Sequence, residues 1–129
     1  MAAPYTLKKL TEVKDSAPEF GMGDIQEARF AGRDLDAERT GITHLRLKPS
    51  QRTPFGHKHE EAEEIYIVIG GSGRLKLDDE IIEVERLDAI RVSPEVVRNF
   101  EAGPGGIEVL AVGARHDGDG ETIPGWWSD

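Results

Sequence analysis

The sequence predicts an all-β fold, a barrel or jelly roll, and three observations carry that prediction. Short runs rich in β-branched residues, often alternating apolar with polar, recur from Ile25 onward. Gly, Pro, Asp and Ser separate them at close spacing. No stretch carries a helical stripe longer than two turns.

In chain order the strand candidates are IQEARF, GITHLRLKP, EEIYIVIGG, GRLKLDDEIIEVER, LDAIRVSP, EVVRNFEAG and GIEVLAVGA. Within GRLKLDDEIIEV, Asp78 and Asp79 stand at or near a hairpin turn, since aspartate tolerates turn conformations that most side chains avoid. Residues 1–24 read as an irregular arm, with at most a short strand or turn. Residues 25–113 form the barrel. Residues 114–129 form a polar, glycine-rich tail ending in Trp126 and Trp127, which are expected to pack on the barrel or on a partner subunit rather than stand in water.

At 129 residues the chain is long enough for one domain with a real core. A net charge of −9 argues against nucleic acid or an anionic membrane as partner, because both select basic surfaces. The absence of cysteine excludes a disulfide framework and thiolate chemistry. MAAPYTLKKLTEVKD has no apolar signal-peptide core, and the longest apolar run, Ile65 to Ile69, is too short to span a bilayer. A cytoplasmic location is the expectation.

The chemistry lies in GHKHEEAEEIYIVIGGSG, Gly56 to Gly73. Residues two apart on a strand share a face, so His57 and His59 point together. If a short loop at residues 60–62 reverses the chain, Glu64 returns opposite them. Two imidazoles and one carboxylate make a cage for a divalent transition metal; imidazole suits Zn, Cu, Fe and Ni, and the carboxylate also admits Mn. Tyr66 follows Glu64 at strand spacing and shares its inward face, where it either binds a ligand or fills the core. Val68, Val96 and Phe100 would line the same cavity.

These residues resemble the first motif of the cupins, HxH(x)3–4E(x)6G, with His57, His59, Glu64 and Gly71 at its positions. The likeness covers roughly residues 40–113. It implies a double-stranded β-helix of two antiparallel sheets, a small-molecule ligand in the barrel cavity, and a homodimer built from an edge strand, the arm or the tryptophan tail. It also implies His57, His59 and Glu64 as metal ligands. Glu63 is the fallback, with Gly70 then as the motif glycine.

The second cupin motif, G(x)5PxG(x)2H(x)3N, falls on LDAIRVSPEVVRNF and departs from the pattern. Leu87 and Glu95 stand where the glycines would be, and Arg98 replaces the histidine that normally completes the site. The opening glycine of the first motif is also missing, with Ser50 and Gln51 in its place. A protonated guanidinium offers no lone pair, so Arg98 is no metal ligand.

Two readings compete. In one, His57, His59 and Glu64 hold a metal in an enzyme acting on a small polar molecule, with Arg98 or Tyr66 orienting the substrate. In the other the barrel is metal-free, Arg98 pairs with Glu64 or anchors an anionic ligand, and the protein is a non-catalytic binder. A third possibility is a dimeric barrel whose role lies in protein contacts. His44, on the polar face of its strand, reads as a surface or structural histidine. His116 lies in the tail, with nothing in the spacing to bring it to the cavity.

Overall fold

The structure is a computed structural model and describes residues 4–115 and 118–128. His116 lies outside the described residues. Two short 3-10 turns, Leu10–Glu12 and Ala17–Phe20, precede eight strands. These are β1 (Gln26–Phe30), β2 (Thr40–Leu47), β3 (Gly56–His59), β4 (Glu64–Leu77), β5 (Glu80–Glu85), β6 (Ala89–Val92), β7 (Arg98–Ala114) and β8 (Gly120–Ile123). No helix among the described residues is long and apolar enough to cross a membrane.

Alternation along the strands sets the inside of the barrel. Leu47, Val68, Phe100, Ile107 and Val109 face inward and are buried, together with Leu75 and Val84. Burying a side chain of this size stabilises the fold by about 1.5–3 kcal/mol. On β2 the alternation leaves His44 on the opposite face from Leu45 and Leu47, where its Nε2 meets Glu108 Oε2 at 2.5 Å. His44 is 5% exposed, which makes it a structural histidine.

All pairings are antiparallel, but the two expected sheets are joined into one curled sheet. The cause is the length of β4 and β7. EIYIVIGG and GRLKL are a single strand, and EVVRNFEAG runs on into GIEVLAVGA. These two strands pair from Glu64↔Gly113 to Leu77↔Arg98, with irregularities at Val68/Gly70 and Gly71/Gly73. Bulges bend a strand, and here they carry both strands around the barrel corner. Gly71 sits at this bend with φ 69°, and a Cβ there would lie 2.1 Å from the Gly106 carbonyl oxygen. Only glycine fits so close an approach.

β4 and β5 form the hairpin read in the sequence, with Leu77↔Glu80 closing it and Asp78 at φ 52°. The arm packs Ala17 and Met22 against Ala28 of β1. The polar tail contains a strand that its composition does not announce: β8 pairs with β3, from Gly56↔Ile123 to His59↔Gly120.

Candidate metal centre

β3 lies between β7 and β8, and His57 is directly opposite Arg98 of β7. Glu64 begins β4, which pairs with β5, β6 and β7 but not with β3. The carboxylate therefore meets the histidines across the barrel interior, not from a hairpin partner. Residues 60–62 do turn, but the turn links strands that are not neighbours. It is closed from outside by Asp119, whose carboxylate accepts the backbone N–H groups of Glu60, Glu61 and Ala62 at 2.8, 3.1 and 3.0 Å.

Around Glu64 the polar groups converge. His57 Nε2 is 3.6 Å and His59 Nε2 3.2 Å from Glu64 Oε1. One ligand atom from each of His57, His59 and Glu64 falls in a group whose members lie within 4.8 Å of one another. Tyr66 Oη donates to Glu64 Oε1 at 2.7 Å and lies 3.2 Å from His57 Nε2. Arg98 Nη2 donates to the same Oε1 at 2.7 Å, and Arg98 Nε donates to Tyr66 Oη at 3.1 Å. Glu63 points away, toward Arg91 Nη1 at 3.3 Å.

Arg98 is wholly buried, its side chain 0% exposed. Its Nη1 donates to the carbonyls of Pro94 and Val96 at 3.0 and 2.8 Å, with Ser93 O at 3.4 Å. The guanidinium is thus spent on the loop before β7 and on Glu64. By contrast the His57 and His59 side chains are 24% and 19% exposed, so the cluster opens on the histidine side. Neither Nδ1 nor Nε2 of His59 has a hydrogen-bond partner, although both are buried.

The charges follow from these contacts. Burial works to raise the Glu64 carboxyl, but His57, His59, Tyr66 and Arg98 together hold it well below the usual carboxylate range. Burial lowers the His57 imidazole below its ordinary value, against the pull of Glu64. Burial and the Glu64 charge push the Tyr66 phenol well up. Burial would raise the Asp119 carboxyl, but the three backbone N–H groups and His59 carry it below its ordinary value. At neutral pH the cluster holds an ionised Glu64, a neutral His57, a protonated Tyr66 and a cationic Arg98.

Several solved structures share this architecture. A cupin protein from Bacteroides fragilis superposes with a TM-score of 0.70 at 20% identity, over 91% of this chain and 89% of that one. The chain has the cupin fold. A polyketide cyclase from Streptomyces resistomycificus matches at a TM-score of 0.74 and 23% identity, over 96% of this chain and 87% of the cyclase. A cupin-superfamily sugar phosphate isomerase from Silicibacter pomeroyi matches at 0.66 and 16%, over 79% and 78%. No protein-family model matches the sequence. An uncharacterized protein of Methanocaldococcus jannaschii is 40% identical over 45 residues, so the match spans about a third of each chain, 35% and 36%.

The cupin motifs map onto the barrel in an instructive way. Arg98, which the motif spacing sets at the position of the second-motif histidine, stands beside Glu64. Two of the three positions that lack a motif glycine keep a left-handed backbone, Ser50 at φ 60° and Leu87 at φ 74°, whereas Glu95 does not. The apolar wall expected at Val68, Val96 and Phe100 is packed core, with Val68 0% and Phe100 1% exposed. Two open clefts of about 530 and 310 Å³ contain none of the clustered residues. Asp119, which reading the sequence did not find, stands with its Oδ2 3.5 Å from His59 Nδ1. Nothing local in HDGDGET signals it, because β8 is short and polar.

Proposed function

We propose that this cupin is a metal-dependent enzyme acting on a small polar molecule, with one divalent transition metal ion held by His57, His59 and Glu64. The supporting observation is the convergence of these three ligand atoms within 4.8 Å, together with His59, whose ring nitrogens make no hydrogen bond although Glu64 and Asp119 stand 3.2 and 3.5 Å away. A buried imidazole without partners costs free energy that a bound ion would recover. The donor set suits Zn, Mn, Fe or Ni. An ion there would supply Lewis-acid polarisation of a carbonyl or hydroxyl oxygen of the substrate.

The chain's own residues divide the remaining work. Arg98 and Tyr66 hold Glu64 through Oε1, and a carboxylate offers about four lone-pair sites, so an ion and Arg98 can share it. This makes Arg98 and Tyr66 positioning residues. The anchor role for an anionic ligand, which the sequence suggests for Arg98, would require it to release its carbonyl partners. The substrate reaches the cluster over His57 and His59, the exposed side.

The Arg98–Glu64 pair at 2.7 Å favours the second reading, a metal-free binding protein. Elemental analysis of protein purified without a histidine tag or chelator separates the two. The expected result is about one transition-metal ion per chain, lost in His57→Ala and retained in His44→Gln. Protein that cannot be loaded with Zn, Mn, Fe or Ni would replace the enzyme reading with the binder.

A further inference from the structure

A neutral imidazole carries one lone pair and one N–H, so a histidine giving Nε2 to an ion must hold its proton on Nδ1. That N–H needs an acceptor, and metal-bound histidines usually find one in a carboxylate or a carbonyl. For His59, whose Nε2 faces Glu64, the group at Nδ1 is Asp119 Oδ2 at 3.5 Å. Asp119 is not part of either cupin motif.

Its placement is built from several directions. Three backbone N–H groups of the 60–62 turn hold the carboxylate, and its side chain is 7% exposed. The following residues form β8, hydrogen-bonded along β3 beside both histidines. Beyond β8 the chain is clamped again. Trp127 Nε1 donates to Thr53 O at 2.6 Å, and Lys76 Nζ donates to Trp126 O at 2.6 Å. Arg52 lies over the Trp127 ring at 4.3 Å and Lys76 over the Trp126 ring at 4.5 Å, both cation–π distances. Trp126 occupies the space that a side chain at Gly56 would need, since a Cβ there would come within 2.6 Å of its ring.

We propose that the tail completes the metal site from outside: Asp119 is a positioning residue that fixes His59 with its proton on Nδ1 and so sets metal affinity. The inference rests on the metal reading above. It also gives the tryptophan clamp a purpose beyond burial, because the clamp and β8 together hold Asp119 against β3. Where the motif's fourth ligand has become Arg98, the remaining three depend more on being held in place.

The test is Zn²⁺ affinity, measured by competition with a chromogenic chelator, for the whole protein and for Asp119→Asn. The expected loss is about 10–100-fold, with partial recovery in Asp119→Glu. Equal affinity in the wild type and Asp119→Asn overturns this inference and leaves the metal reading standing. A wild type that binds no metal overturns both. Should Asp119→Asn fail to fold, ¹⁵N spectra of the Zn-loaded wild type decide: a His59 protonated on Nδ1 supports the assignment, and a His59 metallated through Nδ1 overturns it.

Discussion

Glu64 is met by two strands of opposite character. β3 brings His57 and His59, both partly exposed, and His59 has no hydrogen-bond partner on either ring nitrogen. β7 brings Arg98, fully buried, with its donors committed to Glu64, Tyr66 and the carbonyls of the preceding loop. The β3 half is open and leaves His59 without a hydrogen bond; the β7 half is closed and satisfied. Polar groups left unpaired at the edge of a core are where ligands bind, and saturated ones are where a fold is held together.

The largest effect should come from the closed half. Arg98→Met leaves Glu64 without its cation and orphans the Pro94 and Val96 carbonyls, so it should cost about 3–5 kcal/mol in urea unfolding. A loss below about 1 kcal/mol would break the comparison, because Arg98 would then be as dispensable as an exposed arginine.

A smaller effect sharpens the electrostatic side of the contrast. The carboxyl of Glu64 sits below its ordinary value of 4.5 in the fold, so its contribution is present above that pH and is lost as pH falls further. His57, lowered from 6.5, acts in the same direction, because the unfolded chain takes up its proton first. Stability should therefore decline on acidification, and urea midpoints at neutral and acidic pH should differ less in Glu64→Gln than in the wild type. Equal pH dependence in the two proteins would mean that Glu64 is not held ionised by its partners.

The smallest effect lies in the turn between β5 and β6. Leu87 is 67% exposed and sits at φ 74°, a conformation that costs a non-glycine residue about 1–2 kcal/mol. Leu87→Gly should raise stability by up to about 1 kcal/mol, the relief being partly offset by glycine's freedom in the unfolded chain. A destabilised variant would show that Leu87 packs in a way its exposure does not suggest.

Leu87 and Ser50 also show how motif departures should be read. Each looked like a lost glycine, yet both keep a left-handed backbone, the conformation glycine adopts most easily. Arg98, at the histidine's position, likewise stayed in its place and changed only the chemistry. β4 and β7 each run through what the sequence reads as two strands, because glycine-rich breaks such as Gly70 to Gly73 mark bends within a strand as readily as turns between strands.

What the sequence determined by itself was local: strands by their alternation, the Asp78 turn, and the shared face of His57 and His59, all consequences of a period of two. Where Glu64 comes from, across the interior rather than along a hairpin, was decided by tertiary structure. So were the burial of Arg98 and the arrival of Asp119, whose carboxylate binds an N–H at Glu60, 59 residues earlier in the chain. Backbone hydrogen bonding between β3 and β8 makes that contact, and a backbone hydrogen bond is available to nearly any residue, so no side-chain pattern records which partner a strand will take.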